Sequence, residues 1–283
     1  MHPPKFDYYR AASVEEAISL MQAHDGKFLA GGHSLIPVMN LRLTDPGVLI
    51  DIGRIDSLKG ISVNGNTVRI GALTTHAMVA ASKAVPAVLS EAASMIGDPQ
   101  VRNRGTVGGN ISHADPASDL PTVFLALGAT MHLQGPSGSR SVAAEDFFVD
   151  LFSTALDDDE LLVAVEVPAA NGNGSAYAKL FNPASRYAMV GAAAVVSVSG
   201  GVCQSASVAV GGLTPKATKA PSVEAALTGQ RLNADTIAAA AAAVQYDLGD
   251  NILSDIHANA EYRRAMATVF VKRALMKAAE RAK

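Results

Sequence analysis

Two glycine-paired segments concentrate the chemistry of this sequence. They are Ala30-Gly31-Gly32-His33-Ser34-Leu35, entered through Leu29, and Gly105-Thr106-Val107-Gly108-Gly109-Asn110 about 75 residues later. Each lies where an apolar run gives way to a stretch without a strand pattern. Glycine there can take positive φ and, having no Cβ, lets the backbone come close to a ligand. Consecutive N–H groups in such a turn form a concavity that attracts anions, phosphate groups above all. Two such turns are suited to gripping both ends of one diphosphate.

The surrounding pattern is that of a mixed α/β protein. Ser13-Val14-Glu15-Glu16 matches a capping box, continued at helical spacing by Ala17, Ile18, Leu20 and Met21. Residues 27–30 read as a short buried strand that runs into the first glycine pair. Ser34 is placed to cap a helix with Leu35, Val38, Met39 and Leu43 on its apolar side, and Pro37 falls in its first turn. Residues 48–52 form a strand, and Asn64-Gly65 reads as a hairpin turn between 61–63 and 68–70. Residues 87–96 are helical, and Asp119-Leu120-Pro121 opens a helix that reaches Leu127. Strands follow at 131–133 and 161–167, the first of them leading into a turn at Gly135-Pro136-Ser137-Gly138. The small, glycine-rich stretch 169–175 marks a domain boundary. Beyond it come strands at 176–181, 188–198 and 202–210, with Ser199-Gly200-Gly201 as a turn, and helices at 235–246 and 260–283. On the last helix Tyr262, Met266, Phe270 and Ala274 recur at i, i+4 spacing, which predicts a core-facing stripe.

Composition excludes several function classes. The 283 residues carry a net charge of −3 with no basic block, so nothing points to nucleic acid. The longest strongly apolar run, 188–198, falls well short of the roughly 18 residues a membrane helix needs. The N-terminal residues have no apolar signal region, and the single cysteine, Cys203, excludes an internal disulfide, a cysteine-rich zinc site or a self-contained iron–sulfur cluster. A cytoplasmic setting follows as the expectation. No G-x-G-x-x-G opens a helix, and G-x-x-x-x-G-K-[ST], G-x-S-x-G, H-E-x-x-H and C-x-x-C are absent. His24, His76, His113, His132 and His257 have no partners at metal-ligand spacing and read as surface or satisfied core residues. The acidic run Asp157-Asp158-Asp159-Glu160 reads as a solvated turn.

Three segments together carry a resemblance: residues 28–37 (Phe-Leu-Ala-Gly-Gly-His-Ser-Leu-Ile-Pro), 98–110 (Asp-Pro-Gln-Val-Arg-Asn-Arg-Gly-Thr-Val-Gly-Gly-Asn) and 114–121 (Ala-Asp-Pro-Ala-Ser-Asp-Leu-Pro). They are similar, in order and spacing, to the FAD-binding medium subunits of the molybdenum hydroxylases. Within that family they most resemble the carbon monoxide dehydrogenase medium chains. The resemblance implies an α+β fold. A two-subdomain FAD-binding domain of the PCMH type would occupy residues 1–170, and a C-terminal domain with a small antiparallel sheet and helices would occupy 175–283. It implies a heterotrimer, doubled into a dimer. A large subunit would hold molybdopterin, and a small subunit would carry two [2Fe–2S] clusters. This chain would take electrons on FAD and pass them to an external acceptor.

Residue by residue, Leu29, Ala30, Gly31, Gly32, His33, Ser34 and Leu35, with Thr106, Gly108, Gly109 and Asn110, match the family's two diphosphate-contacting turns, whose backbone N–H groups would do the binding. A helix N-terminus after Ser34 would add positive potential. Asp119 matches a carboxylate that holds the adenosine part of FAD. Leu162 and Lys179 match positions near the flavin, and Tyr187 would lie by the isoalloxazine. A histidine after paired glycines bonds the flavin covalently in distant relatives, whereas the pattern Ser34-Leu35-Ile36-Pro37 follows medium subunits, so FAD is expected to be non-covalent. No side chain here needs to act as a general base or nucleophile, because the cofactor does the chemistry. Two readings of other classes compete with this one: a free-standing flavin-dependent oxidase, and a non-enzymatic nucleotide-binding or assembly protein that keeps the fold.

Overall fold

The computed structural model describes residues 2–282, an α+β chain in which three main sheets follow one another in sequence and β8 and β9 add a small two-stranded one. The first unit is a parallel three-stranded sheet. It comprises β1 (Asp7–Arg10), α1 (Val14–His24), β2 (Lys27–Leu29), α2 (Leu35–Asn40) and β3 (Val48–Asp51), in the order β1-β3-β2. The capping box forms in a shifted version: the Ser13 hydroxyl accepts from the Glu16 N–H, but the Glu16 carboxylate reaches back to the Ala12 N–H at 2.7 Å. Because β3 takes the centre of the sheet, β2 is an edge strand and is only half buried, not the buried strand its composition suggests.

The second unit opens with β4 (Ile61–Asn64) and β5 (Thr67–Gly71) and continues through five helices. These are α3 (His76–Ala81), α4 (Ala87–Ser94), α5 (Pro99–Arg104), α6 (Val107–His113) and α7 (Asp119–Leu127). Then come β6 (Thr130–Gly135), β7 (Gly138–Ala143), α8 (Ala144–Phe147), β8 (Phe148–Asp150), β9 (Ser153–Thr154) and β10 (Leu161–Pro168). Its main sheet is antiparallel in the order β4-β5-β10-β6-β7. The β4–β5 turn is Gly65-Asn66, one residue later than Asn64-Gly65, since Asn64 pairs with Thr67 and Gly65 supplies the positive φ. In the acidic run, the Glu160 side chain is drawn into a two-pronged ion pair with Arg140 at 2.6 Å instead of being solvated with its neighbours.

The third unit comprises β11 (Gly174–Phe181), β12 (Ala188–Ser199), β13 (Val202–Gly211), β14 (Thr218–Lys219), α9 (Pro221–Leu227), α10 (Ala234–Ala242) and α11 (Ala260–Arg281). The strands form one antiparallel sheet in the order β11-β12-β13-β14, with Gly200 and Gly201 both at positive φ in the β12–β13 turn. Strand alternation divides its residues between two cores. Ala176, Val190, Ala192, Ala194, Val208 and Val210 pack beneath α9–α11, while Tyr177, Ala193 and Ala209 join the core around α7. All nine residues of α7 are buried as a result. On α11 the buried face runs through Arg263, Ala267, Phe270, Val271, Ala274, Leu275 and Ala278. The stripe drawn from sequence is therefore rotated: Phe270 and Ala274 are core, but Tyr262 is 45% exposed. The end of that helix as expected, Lys283, lies outside the described residues.

Candidate cofactor site

The first glycine segment is the connection from edge strand β2 to α2. Gly32 sits at φ +71°, where only glycine is unstrained, and the Ile36 N–H closes the turn on the Gly32 carbonyl at 3.1 Å. Ser34 differs from expectation. It is already in helical conformation and its hydroxyl caps nothing, and α2 is only six residues long, so Leu43 lies beyond it, exposed. The Ser34 hydroxyl therefore takes up none of the N–H groups of this turn. Among the described residues the backbone N–H groups of Gly31, Gly32, His33, Ser34 and Leu35 donate to no other group of the protein. Five successive donors without acceptors call for an anion or water.

The second segment is built differently. It is the first turn of α6, not a free-standing tight turn, and neither Gly108 nor Gly109 takes positive φ. Thr106 is the N-cap, its hydroxyl accepting from the Gly109 N–H at 3.2 Å. The other N–H groups are also used internally. Val107 donates to the Thr74 carbonyl at 2.9 Å, Gly108 to the Ala72 carbonyl at 2.7 Å and Asn110 to the Thr106 carbonyl at 3.0 Å. Here glycine serves close approach. A Cβ on Gly108 would lie 2.6 Å from the Ala72 Cβ.

The two segments meet. A Cβ on Gly31 would stand 2.0 Å from the Arg104 carbonyl oxygen and 3.3 Å from the Gly105 Cα, and one on Gly109 would lie 3.7 Å from the Ala30 Cβ. Residues distant in sequence thus form one continuous backbone surface, with five unused donors on one side and the exposed Gly109 on the other. This cradle suits a diphosphate: it offers donors without acceptors, on backbone that carries no Cβ at Gly31, Gly32 and Gly109. His76, which the sequence presents as an ordinary histidine, wedges against it. Its ring stands against Gly105, its backbone N–H donates to the Gly105 carbonyl at 3.0 Å, and the buried ring Nδ1 has no partner. Burial, with a smaller contribution from His33 nearby, pushes its pKa down to about 4.

The remaining candidates lie where the second unit meets the third. The Asp119 side chain, 5% exposed, bonds the Lys179 ammonium at 2.7 Å through one oxygen and the Tyr177 hydroxyl at 2.6 Å through the other. Burial raises the Asp119 carboxyl's pKa, and Lys179 and then Tyr177 oppose that rise. Both oxygens are thereby engaged within the protein, and the Lys179 ammonium faces Asp119 and the Met95 carbonyl. Tyr177 did not stand out in the sequence, although its place two residues before Lys179 on one strand puts both on the same face. Leu162 is buried in the core of the second unit, and Tyr187 is half exposed just before β12, following Arg186 at φ +61°. Among the described residues no His, Cys, Asp or Glu cluster could hold a metal ion, and no helix is long and apolar enough to cross a membrane.

Comparison with known proteins matches this architecture. Residues 4–170 fit the FAD binding domain in molybdopterin dehydrogenase, and residues 175–278 the CO dehydrogenase flavoprotein C-terminal domain. The carbon monoxide dehydrogenase medium chain of Hydrogenophaga pseudoflava is 41% identical over 281 residues, covering 97% of both chains. The chain belongs to the FAD-binding medium subunits of the molybdenum hydroxylases. A second relative, subunit alpha of the 6-hydroxypseudooxynicotine dehydrogenase complex of Paenarthrobacter nicotinovorans, is 40% identical across 100% of this chain and 97% of its own. The solved structure of Hydrogenophaga pseudoflava carbon monoxide dehydrogenase lacking the Mo-pyranopterin moiety of the molybdenum cofactor superimposes with a TM-score of 0.95 at 42% identity, covering all of both chains. This medium subunit is thus an oxidoreductase component whose N-terminal part is an FAD-binding domain.

Proposed function

We propose that this chain is the electron-transfer subunit of a heterotrimeric, cytoplasmic molybdenum hydroxylase. It receives electrons from [2Fe–2S] clusters of a small subunit and passes them to an external acceptor. A large molybdopterin subunit oxidises the substrate, and two heterotrimers associate. The observation that carries this reading is the cradle where the two glycine segments meet. Bound there, FAD supplies acceptance of electrons in pairs and their release singly or in pairs. The protein's part is to bind and orient. The N–H groups of Gly31, Gly32, His33, Ser34 and Leu35 supply donors for the diphosphate. Gly109 supplies an exposed surface without a side chain of its own, and the side chains of Thr106 and Asn110 border it.

Substrate choice resides in the large subunit under this reading. Two relatives of nearly equal identity support that, since their names give carbon monoxide and 6-hydroxypseudooxynicotine as different substrates. The test is the visible spectrum and partner content of the tagged chain drawn from its native host. Flavin bands, iron–sulfur absorption and two co-purifying subunits are expected, with all flavin released on acid precipitation. Isolated chain that turns over an oxidisable substrate without partners would instead make it a free-standing oxidase.

A further inference from the structure

The loop between α6 and α7 is stitched to the C-terminal sheet. The Ala188 N–H donates to the Ala117 carbonyl at 3.0 Å, and the Gly212 N–H to the Pro116 carbonyl at 2.9 Å. At the end of this loop stands Ser118, buried, whose hydroxyl does not cap its own helix. It accepts instead from the Asn110 side-chain amide at 3.0 Å, and Asn110 is the last residue of the second glycine segment. The other side-chain atom of Asn110, Oδ1, is buried and has no partner. The bond to Ser118 is therefore the one polar tether of that side chain among the described residues. Next in sequence is Asp119, clamped by Tyr177 and Lys179 from β11.

We propose that Lys179 and Tyr177 are positioning residues for the cofactor: they fix Asp119, and Ser118 beside it holds Asn110 in the cradle. The proposal rests on the FAD reading above but assigns these residues an indirect part in it. The C-terminal sheet holds the α6–α7 loop by two backbone bonds and the start of α7 by one buried ion pair and the Tyr177 hydroxyl. An ion pair with both partners this deeply buried adds little net stability, yet loss of one partner leaves a charge stranded. Its effect is to hold a single geometry.

The experiment is FAD titration of the flavin-stripped full chain, with thermal unfolding and the midpoint potential of bound flavin measured alongside. Ser118→Ala cuts the relay without touching the ion pair. Its FAD affinity should fall about fivefold, the effect of one hydrogen bond, with an unchanged unfolding midpoint. Lys179→Met should weaken binding about tenfold or more, and Asp119→Asn combined with Lys179→Met, which strands no charge, should recover folding but not affinity. In every variant the flavin that does bind should keep its wild-type potential. Ser118→Ala binding FAD as tightly as wild type would overturn the relay alone. A shifted potential in Lys179→Met would also overturn it, by placing that ammonium on the flavin. Wild-type chain that fails to bind FAD would overturn the FAD reading and the relay together.

Discussion

The first glycine segment leaves five consecutive backbone N–H groups without an acceptor, while the second uses those of Val107, Gly108, Gly109 and Asn110 inside the protein. The first has a glycine at positive φ and a hydroxyl, Ser34, that caps nothing. The second has ordinary helical glycines and a working Thr106 cap. The difference separates two reasons for paired glycines. In one segment they shape a turn with a run of free donors; in the other they let a helix press against β5 and against the first segment. A diphosphate site needs both, because donors alone leave the ligand hanging at an edge strand, and close approach alone gives it nothing to bind.

The strongest break of this comparison comes where the segments touch. Gly31→Ala drives a Cβ into the Arg104 carbonyl, a backbone atom that cannot rotate away. We expect flavin retention to be lost and stability to fall by about 3 kcal/mol or more, read by urea denaturation. A variant that keeps both would show that the segments are not in contact.

A second experiment sharpens the contrast through acid. His76, packed on the second segment, has a folded pKa below that of free imidazole, so the unfolded chain binds its proton more readily. Its contribution is intact above about pH 6.5 and is lost as the pH falls toward 4, by about 3 kcal/mol at roughly 1.4 kcal/mol for each pH unit between those values. Wild type should lose that much more stability between pH 7 and pH 4 than His76→Asn does. Equal losses would remove His76 from the acid response.

The smallest effect concerns the two caps. Thr106→Ala should cost about 1 kcal/mol and Ser34→Ala almost nothing, measured as a pair by thermal unfolding. Equal costs would contradict the difference in capping between the segments.

Much of this was legible in the sequence because local rules settled it. Ser13 predicted the start of α1, Asp119 that of α7, and the glycine pair at 200–201 the β12–β13 turn. Sheet order was not local. That β3 would displace β2 to the edge depends on a partner some 20 residues away, so β2 looked more buried than it is. Both glycine pairs could be found by eye, but their different roles could not. Gly108 looks like Gly32 until Ala72 comes up behind it. The orphaned Nδ1 of His76 and the joint hold of Tyr177 and Lys179 on Asp119 likewise required the third dimension. On α11 the i, i+4 rule finds a stripe at the right period but the wrong angle, since Arg263 is buried while its neighbour Tyr262 is half exposed.

The two-faced C-terminal sheet bears on how such chains can be recombined. Tyr177, Ala193 and Ala209 complete the packing of α7, a helix that precedes the glycine-rich linker by more than 40 residues. A chimaera joined at that linker would set one parent's helix against the other parent's strands. The unit of exchange is α7 together with the sheet that covers it, and a crossover ahead of Ser118 would keep that unit whole.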